Sequence, residues 1–137
     1  MSKLKGQKKE TWRCKFCGST AKDNYDWSQT FCDSKCYEDY RHKTALEEIL
    51  SGKVKGHTGK AAVLSRTLKR HLKEIRGSAC SLCGWNGFHP VDNKSLTEFH
   101  HVDGNRFNCD LSNIQILCPN CHSMTHNFKA RNKKPTC

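Results

Sequence analysis

Eight of the ten cysteines stand in four close pairs: Cys14/Cys17, Cys32/Cys36, Cys80/Cys83 and Cys118/Cys121. The first quartet reads C-x2-C, fourteen residues, then C-x3-C; the second reads C-x2-C, thirty-four residues, then C-x2-C. Such pairs suit tetrahedral zinc, because a C-x2-C turn brings two thiolates to one ion at about 2.3 Å from each sulfur. Four cysteines close a site with no open position, so both ions would be structural. Disulfides or a redox-active C-x2-C are the competing readings. With no sign of export, metal is favoured. Cys109 and Cys137 are left over and read as unpaired.

The thirty-four residues inside the second quartet carry a different chemistry. They include Glu98-Phe99-His100-His101-Val102-Asp103-Gly104 and Asn113, and the cysteine pair that follows leads into His122 and His126. Imidazole takes up a proton near neutral pH, with an unperturbed pKa of about 6.5, and its neutral form binds divalent metals. Leu96, Phe99 and Val102 suit a strand, Asp103-Gly104 a turn, and Leu111, Ile114, Ile116 and Leu117 a second apolar run. Pro119 fits the first turn of a helix, on which His122 and His126, four apart, share a face. Adjacent strand residues point to opposite sides, so His100 and His101 are expected to do different jobs. His42, His57, His71 and His89 read as structural or exposed.

The elements that must position these groups have little core to draw on. The chain has 137 residues, of which 35% are hydrophobic, and a formal charge of +11. A chain this short and this polar needs staples. A structural zinc can contribute on the order of 10 kcal/mol. Two four-thiolate zinc sites would lower the charge to about +7, still clearly cationic. No window approaches the roughly 20 apolar residues that cross a bilayer, and the N-terminus has no hydrophobic segment, so neither export nor membrane insertion is expected.

Along the chain, residues 1–12 read as a basic flexible arm with Lys3, Lys5, Lys8 and Lys9. Residues 13–50 read as an N-terminal zinc module, with Trp12, Phe16, Tyr25, Trp27 and Phe31 packed around the metal and a helix over 35–50 that Ser34 can cap. Glycines mark 51–60 as a linker. Ala61, Leu64, Leu68, Leu72 and Ile75 predict an amphipathic helix over 61–76, closed by Gly77. Its other face carries Arg66, Lys69, Arg70, Lys73 and Arg76, and between Lys53 and Arg76 eight basic residues meet one acid, Glu74. That charge suits phosphate contact. The tail adds Lys129, Arg131, Lys133 and Lys134. Residues 77–137 form the second module.

His101 and Asn113, set between two C-x2-C pairs, and His122, directly after the second pair, resemble the HNH (His-Asn-His) nuclease motif. Over residues 61–130 the chain is similar to small free-standing phage-type HNH endonucleases. Cys83-Gly84-Trp85, His100 to Gly104, Asn113-Ile114 and Leu117 to His122 match their signature. The resemblance implies a small, zinc-stabilised α+β protein. A ββα-metal (HNH, treble-clef-like) nuclease module would stand beside the N-terminal four-cysteine module and the basic linking helix. It also implies that His101 is the general base, that His100 and His122 hold a catalytic divalent ion, and that Asn113 ties the hairpin and orients the base. The family often has Asp or Asn where His100 stands. Colicin-type members use two helix histidines spaced like His122 and His126, which makes His126 a candidate third ligand. Two imidazoles leave Mg²⁺ or Mn²⁺ workable, whereas three shift preference toward Ni²⁺ or Zn²⁺.

The substrate implied is DNA, cut to a 5′-phosphate and a 3′-hydroxyl. One active site nicks one strand, and monomer and homodimer both stay open. Arg66, Lys69, Arg70, Lys73 and Arg106 are the candidate phosphate contacts. The expected setting is intracellular, in the cytoplasm of a bacterial host for a phage-encoded chain. The competing class is a non-catalytic double-zinc nucleic-acid-binding protein. It explains cysteines and charge equally well, but not the histidine and asparagine placement.

Overall fold

The computed structural model describes residues 12–21 and 30–131. The arm lysines, Tyr25, Trp27, Lys133, Lys134 and Cys137 lie outside the described residues. The chain divides into two compact units, 1–47 and 48–137. No helix among the described residues is long and apolar enough to cross a membrane.

In the first unit, β1 (Trp12–Arg13) pairs antiparallel with β2 (Thr20–Ala21) around a tight turn. Gly18 N–H donates to the Cys14 carbonyl and Cys14 N–H to the Ser19 carbonyl, each at 2.9 Å, which bends Cys14 and Cys17 toward one point. Helix α1 (Ser34–Leu50) brings Cys36 to the same point. Its cap is Asp33 rather than the expected Ser34: Cys36 N–H donates to Asp33 Oδ1 at 2.6 Å, as an acidic N-cap does. The aromatic packing is also redistributed. Phe31 is buried against the rings of Tyr37 and Tyr40, at 5.3 and 5.1 Å, whereas Phe16 is 40% exposed.

In the second unit, segment 51–60 holds strand β3 (His57–Thr58), which pairs with β4 (Val63–Leu64). Gly56 lies against the side chains of Cys109 and Leu68, where a Cβ would approach both to 2.6 Å; only glycine leaves room for that packing. Because Val63 and Leu64 are taken by the β pair, the basic helix α2 starts later than its apolar spacing suggests, at Arg66–Arg76. Ser65 caps it, accepting from Leu68 N–H at 3.3 Å. Gly77 closes it, donating to the Lys73 carbonyl. Leu68 and Leu72 are fully buried, but Ile75, expected on the same face, is 54% exposed.

Strand β5 (Glu98–His101) pairs antiparallel with β6 (Ile114–Leu117), in the register Glu98↔Leu117 to His101↔Ile114. Helix α3 (Pro119–Ser123) follows at once, with Cys118 as N-cap and Pro119 in its first turn. Hairpin and short helix are thus contiguous. Among the described residues the largest fully buried side chains are five: Leu68, Leu72, Ile114, Ile116 and Leu117. Cys80, Cys118 and Cys121 pack on Leu117, so the cysteine quartet is itself part of the core.

Arg76, counted with the basic face, is turned inward to the hairpin. Its guanidinium donates to the Ile114 carbonyl and, at 2.8 Å, to the Leu111 carbonyl, fastening the end of α2 to the start of β6. Charged donors to carbonyls are stronger than neutral ones. Arg76→Ala is therefore expected to cost about 2 kcal/mol of unfolding free energy, read as a lower urea midpoint with unchanged slope.

Candidate active site and metal centres

The two cysteine quartets are the only groups of three or more metal-ligating side chains that converge among the described residues, with ligand atoms within 4.8 Å of one another. The nine described cysteines are all free thiols. Sulfur separations are 3.3 Å for Cys32–Cys36, 3.6 Å for Cys17–Cys32 and 3.8 Å for Cys83–Cys118. Zinc with bonds of about 2.3 Å sets tetrahedral sulfurs roughly 3.8 Å apart, so both quartets fit a zinc ion.

Their protonation preferences agree with that fit. Burial pushes the Cys14 and Cys80 thiols up, yet backbone N–H groups aimed at each sulfur outweigh it and bring both down to about 6. Within the same quartets, neighbouring thiols and burial push Cys121 up to about 12, and Cys36 upward as well. Four thiolates cannot ionise together without a cation between them. A zinc ion would supply that charge.

The second constellation lies on β5 and α3. His100 is buried, 7% exposed, and its ring centroid is 5.1 Å from that of His122. Both rings line a cleft of about 180 Å³ together with Phe99, His101, Gly104, Arg106 and Asn127. Alternation was expected to send His100 and His101 to opposite sides, but His101 is the last residue of β5. The chain turns there, with Gly104 N–H donating to the His101 carbonyl at 3.0 Å, and both histidines reach the same cleft.

Their surroundings still differ. Burial holds the His100 pKa below its ordinary value, and the charges of His122, His101 and His126 add to the effect. Burial likewise lowers that of His101; Asp103 opposes the shift and Arg106 reinforces it. Nε2 of His101 is buried with no partner.

His122 is held from two sides. Its Nδ1 lies 2.5 Å from Glu98 Oε2, and Phe128 packs edge-on at 5.2 Å. A carboxylate on one ring nitrogen orients the other toward a metal. Glu98, quoted in the motif without a role, could have been found from strand periodicity. It stands two residues before His100, on the same side of β5. For the zinc-loaded protein, Glu98→Gln is expected to weaken Mn²⁺ binding by about tenfold or more, measured by calorimetry, with the fold intact.

Asn113 sits just before β6 and organises the loop that follows β5. Its Oδ1 accepts from Asp103 N–H at 3.0 Å, and its Nδ2 donates to Asp103 Oδ1 and the Asn108 carbonyl, both at 2.9 Å. Val102 N–H donates to the Asn113 carbonyl at 2.9 Å. One buried side chain thus fixes the turn that carries Arg106 past the cleft. His126 is placed differently from the sequence expectation. Helix α3 ends at Ser123, capped by Met124, so His126 does not share a helical face with His122; it is exposed, and it joins no group of three ligands.

Of the basic residues, Arg106 lines the cleft while donating to the Ala61 carbonyl at 3.3 Å. Arg70 pairs with Glu74 at 2.7 Å, and Lys73 lies over the Phe99 ring. Arg66 is exposed and Lys69 half-buried.

The chain's sequence is similar to that of a curated protein. Over 95 residues, 69% of the chain, it is 32% identical to the H-N-H endonuclease F-TflIV of Escherichia phage T5. The chain spans 38% of the length of that HNH relative. No family model matches the chain, and no solved structure matches it. The histidines of the motif stand on the hairpin and the short helix that follows: His100 and His101 lie between the cysteine pairs of the second quartet, and His122 directly follows the second pair.

Proposed function

We propose that this chain is a metal-dependent HNH DNA endonuclease that hydrolyses one phosphodiester bond per active site, leaving a 5′-phosphate and a 3′-hydroxyl. The observation that carries the reading is the meeting of His100 from the hairpin and His122 from the helix, 5.1 Å apart, in the cleft that His101 also lines. A protein that only bound nucleic acid would have no use for converging imidazoles.

In this reading β5, β6 and α3 form the family's ββα-metal unit, and the cysteine quartets hold two structural zinc ions. His100 and His122 hold a catalytic divalent ion, Mg²⁺ or Mn²⁺, and the open cleft leaves room for water and phosphate oxygens around it. When bound, that ion supplies positive charge at the scissile phosphate and the leaving oxygen. His101, neutral at physiological pH because its pKa is lowered, takes the proton of the attacking water. Asn113 fixes the turn after His101, and Arg106 meets a phosphate beside the scissile bond. Arg66, Lys69, Arg70 and Lys73 on α2 add salt-dependent contact with the DNA backbone. The protein works inside a bacterial cell, where phage DNA is found.

The test is conversion of supercoiled plasmid to open circle with Mg²⁺ or Mn²⁺ by the zinc-loaded protein. No nicking across the divalent ions, with DNA binding retained, overturns the nuclease reading in favour of a binding protein.

A further inference from the structure

Two buried polar atoms beside the cleft lack a hydrogen-bond partner: Nε2 of His101 and Oδ1 of Asn127. Both side chains line the cleft, and Asn127 is only 9% exposed. Asn127 lies past the end of α3 and reaches back to β5, its Nδ2 donating to the carbonyls of His101 at 2.9 Å and Val102 at 3.2 Å. Those bonds fix which way the amide faces, since a carbonyl oxygen only accepts and only the NH₂ end can donate. Oδ1 is therefore an acceptor tied to the residue whose ring nitrogen is also unpaired.

Buried polar groups almost always find partners, and these two are complementary. An imidazole protonated at Nε2 donates there, and an amide oxygen accepts. The partner of one ring nitrogen also decides which nitrogen carries the proton.

We propose that Asn127 is a positioning residue acting through His101. Its Oδ1 accepts from Nε2–H, directly or across one water, and so keeps the Nδ1 lone pair available to the attacking water. This rests on the nuclease reading of the cleft. In the step itself, the water oxygen forms a bond to phosphorus and the bond from phosphorus to the 3′-oxygen breaks. The water's proton passes to Nδ1 while the Nε2 proton stays in its bond to Asn127. The departing 3′-oxygen takes a proton from solvent, so one water is consumed per bond cut.

The experiment reads the imidazole tautomer by long-range ¹H–¹⁵N correlation on the zinc-loaded full chain, without DNA. It is paired with plasmid nicking and Mn²⁺ affinity for each variant. Wild type is expected to hold His101 as the Nε2–H tautomer. Asn127→Ala should shift His101 toward a mixture of tautomers and lower kcat at least tenfold, with Mn²⁺ affinity unchanged. Asn127→Asp keeps an acceptor but loses both donors, and it should restore the Nε2–H form and recover most of the lost kcat.

The proposal is overturned if His101 keeps its wild-type tautomer in Asn127→Ala. It is equally overturned if Asn127→Asp behaves like the alanine variant, which would leave only the backbone tie. A wild-type protein that never cuts DNA overturns the nuclease reading instead, and the tautomer measurement still decides the Asn127 contact by itself.

Discussion

His101→Ala is expected to reduce plasmid nicking about 10³-fold while leaving DNA affinity and zinc content unchanged. The size follows from the role proposed for the ring. General-base catalysis contributes roughly 10²–10⁴-fold, and nothing else in the cleft replaces it. Of the other imidazoles lining the cleft, His122 has one nitrogen on Glu98 and His100 is buried, so neither presents an equivalent free base. Asn113, Arg106 and the rest of the cleft stay in place in the variant, so the residual rate should come from positioning and charge. The pH profile gives an independent check. Burial lowers the His101 pKa, so the ring sheds its proton at lower pH than a free histidine. The acid limb of kcat should therefore lie below the ordinary imidazole value of about 6.5. In the alanine variant that limb should vanish with the rate.

Removal of the second zinc should have the largest effect on stability. Cys121→Ser, or chelation strong enough to strip zinc, is expected to unfold the unit 48–137, because such a site contributes on the order of 10 kcal/mol. Small domains are stable by only about 5–15 kcal/mol in total. The five large side chains fully buried in this unit among the described residues cannot make up that loss. The quartet joins the turn at Cys80 to the N-terminus of α3, and Leu117 packs with Cys80, Cys118 and Cys121. Loss of the ion would leave three buried thiols beside the exposed Cys83 and release both β6 and the helix bearing His122. Circular dichroism and urea denaturation of the zinc-loaded and stripped protein would show this, and re-addition of zinc should restore the native signal.

The features that were legible in the sequence are those set by local spacing. Each quartet is built from two local pieces, a short turn and the start of a helix, and the Gly84 N–H to Cys80 carbonyl bond at 2.8 Å is dictated within five residues. The hairpin, the Asp103-Gly104 turn and the start of α3 at Pro119 were similarly readable. The cleft pairing of His100 with His122 followed from the motif.

What escaped were outcomes decided at a distance or by competition. Helix α2 lost its expected first turn because Val63 and Leu64 pair with β3, and nothing in a 3–4 periodicity reports that competitor. The early end of α3 carries no glycine or proline signal, so the His122/His126 spacing looked helical when it was not. Arg76 reads as one more cation on a basic face, yet its partner carbonyls lie 35 and 38 residues away. Asn127 is the same kind of case: its tie to β5 spans 26 residues and belongs to no motif.

The most direct measurement is pulsed electron paramagnetic resonance of Mn²⁺ bound to the zinc-loaded protein, which counts the imidazole nitrogens on the ion. Two are expected in the wild type, one in His100→Ala and one in His122→Ala. A spectrum without nitrogen coupling, or one that neither substitution alters, would contradict the convergence of hairpin and helix histidines on a single divalent ion.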